Sequence, residues 1–169
     1  AIIVKFDDQF NMKWSGCFGG SNEDHSNAVT VCPDGGYVIS GQTESANLHV
    51  SPGAFQSAKG HGIDQFITKF DQDGNILWCT FLGGQRDEGT LMLGYKAGNA
   101  FCDIGGNIYI SGSTTSEDMP VTVDGYQKVF SGDTDSFIAK FNSSGDLSYL
   151  TYLGGSYYDK NNNIALDPD

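Results

Sequence analysis

The 169-residue sequence is short of positive charge, with nine Lys and Arg against 21 Asp and Glu and a net charge of −12. That balance disfavours nucleic acid and anionic membrane surfaces as partners, because nothing in the chain would displace phosphate counterions. Three of the nine basic residues, Lys5, Lys69 and Lys140, share one repeated position, so no separate basic patch remains. Proline is also scarce: four prolines beside 23 glycines suit tight turns between short strands rather than a disordered linker. No apolar run approaches the roughly 18 residues of a membrane span, so membrane insertion is not expected. No signal peptide is visible, and Ala1 already sits in a strand pattern, so the sequence is expected to open inside a repeat. A Gly-x-Ser-x-Gly elbow, a His-Glu-x-x-His pair and a phosphate-cradling glycine loop are all missing. The histidines His25, His49 and His61 fall in loops and are not repeated. Asp24-His25 has the composition of a dyad, but adjacent side chains seldom orient one another. No catalytic, cofactor-binding or metal-ligating residue is assigned.

Cysteine is sparse too. Cys17, Cys32, Cys79 and Cys102 do not recur at matched repeat positions, which argues against a repeated disulfide framework. Small buried thiols are the expected state, with one bridge an alternative in an oxidising compartment. Zinc is not expected without paired Cys-x-x-Cys spacing.

What the chain has in abundance is itself. Gln65-Phe66-Ile67-Thr68-Lys69-Phe70 returns as Ser136-Phe137-Ile138-Ala139-Lys140-Phe141, and Ala1-Ile2-Ile3-Val4-Lys5-Phe6 is an earlier copy. Each copy leads to Trp14, Trp78 or Tyr149, and then to Gly19-Gly20, Gly83-Gly84 or Gly154-Gly155. The lysines are spaced by 64 and then 71 residues, a period that points to a stacked or radial β-array. Within a copy, Phe66, Thr68 and Phe70 would face one side of a strand and Ile67 and Lys69 the other. Asp71-Gln72-Asp73-Gly74-Asn75 supplies a turn, and Ile76 to Leu82 returns. In the first copy Phe10 stands where the turn glycine belongs, so a looser or different turn is expected there. A second hairpin follows, Asn27 to Val31 and Tyr37 to Gly41 around Pro33-Asp34-Gly35-Gly36. Four strands per repeat meet the requirement of a propeller blade. The second copy carries a seven-residue insertion in the stretch 86–100.

Two long connections, 42–64 and 113–135, resemble each other at Pro52-Gly53-Ala54-Phe55-Gln56 and Val123-Asp124-Gly125-Tyr126-Gln127. The repeated aromatic is expected to anchor each loop on its own blade.

Each Gly-Gly is followed four residues later by an acid, Asp24, Glu88 or Asp159. Recurrence in every copy fits a loop-fixing carboxylate that accepts backbone N–H bonds better than a unique active site. Calcium is the sharper alternative at these acids. Asp71, Asp73 and Asn75 have alternate-residue oxygen spacing but lack the later Gly-x5-Glu of a calcium loop, so a hairpin turn is expected. The repeated lysines should be covered along their stems, with an acid as partner; Asp64 and Asp135 are the candidates.

Taken together, the segments Asp135 to Phe141, Thr151-Tyr152-Leu153-Gly154-Gly155, Asn163-Ile164-Ala165-Leu166, Gly106-Asn107-Ile108-Tyr109 and Pro52 to Gln56 resemble the bacterial SBBP family of seven-bladed β-propeller repeats. The match runs over nearly all of the chain and departs at Phe10 and in the insertion, where the strand Asn99-Ala100-Phe101-Cys102 is hard to place. The resemblance implies an all-β fold: a β-propeller fragment of about two and a half four-stranded antiparallel blades. Its single partial domain, 1–169, would divide into an outer half blade (1–18), two blades (21–82 and 85–153) and the start of the next (156–169). An arc of that length leaves two faces and two sheet edges uncovered, so a larger parent chain or partner chains are expected to complete it.

The family implies a secreted or cell-surface protein and brings no catalytic residues. The expected function is a non-enzymatic interaction, adhesion or scaffold module, with a protein or glycan partner, or further blades of the parent chain, met by the long loops and the insertion. Alternatives are part of a polysaccharide-acting propeller enzyme, or a subunit of a surface filament completed by its neighbours. No cofactor is expected, calcium being the one open possibility.

Overall fold

The computed structural model describes residues 1–89, 99–160 and 163–167, and among them the protein is all-β with no helix. Among the described residues ten strands form three antiparallel sheets. The first sheet pairs β1 (Ile2–Phe6) with β2 (Met12–Cys17). The second runs in order β3 (Asp24–Val31), β4 (Tyr37–Thr43), β5 (Asp64–Phe70) and β6 (Ile76–Leu82). The third repeats that order with β7 (Ala100–Cys102), β8 (Ile108–Thr114), β9 (Asp135–Phe141) and β10 (Leu147–Leu153). Most of the insertion lies outside the described residues, and 163–167, expected to begin a further blade, contain no paired strand.

The register repeats with the sequence. Tyr37 opposes Phe70 and Thr43 opposes Asp64 in the second sheet, as Ile108 opposes Phe141 and Thr114 opposes Asp135 in the third. β5 is buried along its whole length because apolar side chains on both of its faces meet a neighbouring sheet. Phe66 and Phe70 join Phe18 of the segment after β2 and Ile39 in one core. Ile67, on the opposite face, joins Trp78, Leu82, Phe137, Phe141 and Tyr152 in the other. The second sheet is therefore the middle layer of three.

The outer hairpin turns share one geometry. Asp71 accepts the backbone N–H groups of Asp73 and Asn75 on Oδ1, and Gly74 takes a φ of 89°. Asn142 does the same for Ser144 and Asp146, with Gly145 at 92°. The first copy does not loosen. Asp7 accepts from Gln9 and Asn11, and Phe10 adopts the positive φ, 62°, that the turn demands. The aspartate bonds dictate the turn, and Phe is held in a conformation that glycine would reach without a Cβ clash.

The cysteines depart from expectation. Cys32, just after β3, is disulfide-bonded to Cys102 at the end of β7, tying the second sheet to the third across 70 residues of sequence. Cys79 is a buried thiol and Cys17 an exposed one. Cys32 and Cys102 are one position out of step in the repeat, and two strand ends brought together across the sheet interface bridge regardless of that offset.

Candidate functional site: the joints between sheets

Two joints dock one sheet on the next, and they use equivalent residues. The Trp14 ring lies against the Gly74 turn of the second sheet, 3.1 Å from where a Cβ would stand, and its indole N–H donates to the Gln72 carbonyl at 3.4 Å. The Trp78 ring covers Gly145 of the third sheet at 2.8 Å by the same measure and donates to the Ser143 carbonyl at 3.0 Å. A side chain at either glycine would occupy the space of the ring, so the turn glycine serves the joint as well as the hairpin. The sequence shows Trp and Gly repeating but gives no sign that they meet across sheets.

The loop aromatic also crosses. Phe55 sets its ring edge-on to Phe141 of the third sheet, centroids 5.9 Å apart, instead of folding back on its own sheet. Its counterpart Tyr126 is 84% exposed, with Val123 and Val129 bare beside it in the same loop. What anchors each loop to its own sheet is glutamine. Gln56 donates from Nε2 to Asp64 and accepts the Gly83 N–H on Oε1; Gln127 does the same with Asp135 and Gly154. Their 71-residue repetition was the available sign.

The repeated acids act on backbone. Asp24 accepts from Gly20 N at 2.7 Å, Thr43 Oγ1 at 2.6 Å and Ser45 Oγ at 3.1 Å. Glu88 takes the same seat beneath the third sheet, accepting from Thr114 Oγ1 at 2.9 Å. Asp159 accepts from Gly155 N at 2.7 Å. The seat is a Thr-x-Ser pair, Thr43/Ser45 and Thr114/Ser116, whose repetition sequence reasoning passed over.

Asp64 and Asp135 are not lysine partners. Each accepts from its glutamine and from one loop N–H, Gly60 or Ser131. The covered lysine Lys69 instead reaches Asp34 at 2.6 Å, which holds that carboxyl below the usual range. Lys5 donates to Gln72 O beside the Tyr37 ring, and Lys140 lies over the Tyr109 ring. Asp34 lies in the turn that opens β4, which the end of β5 reaches across the ladder, whereas Lys5 takes the outer hairpin turn of the second sheet and Lys140 an aromatic ring on β8.

Burial pushes Glu88 from its ordinary 4.5 up to about 8, with Asp64 adding to the shift, and pushes Asp64 from 3.8 to about 6. Raised carboxyl pKa values often mark acid–base sites. Here both side chains are sealed from solvent, so no substrate reaches them as the loops stand. One oxygen of each, Glu88 Oε2 and Asp64 Oδ1, is buried without a hydrogen-bond partner among the described residues. Of the histidines, all exposed, His25 lies 3.4 Å from Glu23 rather than on Asp24. The described residues contain no group of three or more His, Cys, Asp or Glu arranged to hold a metal, and no helix among them is long and apolar enough to cross a membrane. No family model matches the chain, and no curated protein matches it.

Proposed function

We propose that the chain is a run of β-propeller repeats of the SBBP kind, a non-enzymatic interaction or scaffold module of a secreted or cell-surface protein. One observation carries the reading: the Trp14–Gly74 and Trp78–Gly145 joints stack successive sheets by one rule, with partners that recur at the repeat spacing. A rule that adds sheets one after another is what a radial array of blades needs. The repeated acids also support it, since Asp24 and Asp159 hold loop backbone and Glu88 holds the Thr114 hydroxyl at matching positions of successive copies. Partner contacts, to protein or glycan, fall to the exposed loops 44–63 and 115–134, displayed on the rigid sheets.

The faces at either end of the stack set the test. A module built to be continued leaves Tyr126 and its neighbours for a sibling sheet, so sedimentation velocity over rising concentration should show self-association that Tyr126→Ser weakens. A single stable monomeric species at every concentration would count against the proposal.

A further inference from the structure

Two carboxyl groups meet where the second sheet docks on the third. Asp64 opens β5, and Glu88 lies in the connection from β6 to β7. Backbone bonds clamp the two segments together: Glu88 N donates to Ile63 O at 2.7 Å, and Ile63 N donates to Asp87 Oδ1 at 2.9 Å. Both side chains then turn to Gly83. Glu88 Oε2 and Asp64 Oδ2 each lie within 2.8 Å of the point where a Cβ of Gly83 would stand, so any other residue there would drive the pair apart.

Each acid keeps one oxygen without a hydrogen-bond partner among the described residues, Asp64 Oδ1 and Glu88 Oε2, and both side chains are 0% exposed. Lys59, in the loop that binds Asp64 through Gly60 N, donates from its ammonium to the Gly60 and Gly62 carbonyls rather than to a carboxylate. A buried pair of acids with spare lone pairs calls for a positive neutraliser. The arrangement recurs in the next copy. Asp159 N donates to Thr134 O at 2.8 Å, and Asp135 Oδ1 is again buried, unpartnered among the described residues and packed against Gly154. The same orphan oxygen at positions 71 residues apart is a feature of the repeat rather than of one loop.

We propose that Asp64 and Glu88 hold a calcium ion at this joint, with Asp64 Oδ1 and Glu88 Oε2 as its carboxylate ligands and backbone carbonyls completing the shell. Gly84 O is the first of those carbonyls, because it and Asp64 Oδ1 together flank the Cβ position of Gly60. An all-oxygen donor set selects calcium or magnesium over softer transition metals. Calcium accepts an irregular shell of six to eight oxygens at about 2.3–2.6 Å, whereas magnesium retains waters that a sealed joint does not admit. With two acids in the shell, the affinity falls at the weak end of calcium sites, a Kd of about 0.1–1 mM. The ion ties the second sheet to the third. The site needs this one joint only, so its failure would leave the propeller reading where it stands.

Equilibrium dialysis of the whole chain against radioactive calcium, after removal of metal with a chelator, tests the site. The buffer is set at about pH 8.5 because carboxylates bind metal deprotonated, with about 0.15 M salt to screen the acidic surface. The parent should retain calcium. Glu88→Gln keeps the acceptor for Thr114 without the charge, and it should release one ion per chain or weaken it by at least about tenfold. Asp64→Asn should do the same. Asp8→Asn, at an exposed turn acid, removes the same charge and should change nothing. Because binding to the folded state alone adds stability, about 5 mM calcium should raise the urea midpoint of the parent and not that of Glu88→Gln, and equal magnesium should raise neither. No retained calcium, retention undiminished in Glu88→Gln, or an equal loss in Asp8→Asn would each overturn the proposal. The first of these would leave a shared proton as the neutraliser of the pair.

Discussion

Phe10 holds a left-handed backbone with its ring 86% exposed, so it bears strain and gains little packing. A residue other than glycine in that region costs about 1–2 kcal/mol, part of which glycine returns as lost chain entropy in the unfolded state. Phe10→Gly should therefore stabilise the protein by about 1 kcal/mol, read as a higher urea midpoint at unchanged slope. Glu88 makes the opposite kind of prediction. Its folded pKa of about 8 lies above the ordinary 4.5, so the folded state keeps a proton that the unfolded chain releases. Linkage then gives stability that is highest at acid pH and falls as pH rises through that window, with Asp64 contributing the same sign between 3.8 and about 6. Glu88→Gln keeps the acceptor for Thr114 without the charge. Urea unfolding at about pH 5 and about pH 8 should show a flatter pH dependence for the variant and greater stability than the parent at the higher pH. An unchanged slope would mean that Glu88 ionises in the fold without penalty.

The working element of this molecule is a strand that ends under a tryptophan supplied by the sheet before it. Gly74→Ala and Gly145→Ala both place a Cβ at positive φ, a loss of about 1–2 kcal/mol each. They differ in the ring above. Trp78 is buried and stands nearer its glycine, while Trp14 is half-exposed and can shift, so Gly145→Ala should lose clearly more stability than Gly74→Ala in parallel urea titrations. Equal losses would show that the joints yield alike. At this scale the strands were legible in the chain: alternation in Phe66 to Phe70, Asx-x-x-Gly turns and the Gly-Gly pairs located the hairpins because strand period and turn chemistry are local. The joints were not legible. Trp78 and Gly145, Phe55 and Phe141, or Cys32 and Cys102 meet because sheets stack, and a pattern repeated within each copy carries no information about which copy it touches. The lysine partners failed for a related reason, since Asp64 is near Lys69 in sequence whereas Asp34 is near it across the ladder.

For the molecule as a whole, the two joints are not equally fastened. The second and third sheets are held on one edge by Trp78 over Gly145 and on the opposite edge by the Cys32–Cys102 bridge. The first sheet has its tryptophan and no bridge. β7 has only three residues and pairs with β8 alone, so a strand that short depends on the cross-link for its place. Closing a loop of this length removes about 4 kcal/mol of unfolded-state entropy on the chain-entropy account. Cys32→Ser with Cys102→Ser should cost a comparable amount, read from urea unfolding of the non-reduced proteins. Thiol titration gives an independent check on the same assignment. Cys17 is exposed and should react with an aromatic disulfide reagent in the native state, while Cys79 is buried beside Thr68 with its thiol pushed up to about 11 and should react only on unfolding. One thiol reacting before denaturant, two after it and four once reductant is added is the pattern this cross-linking demands. Four without reductant would remove the bridge, and with it the reason that so short a strand keeps its place at the edge of the third sheet.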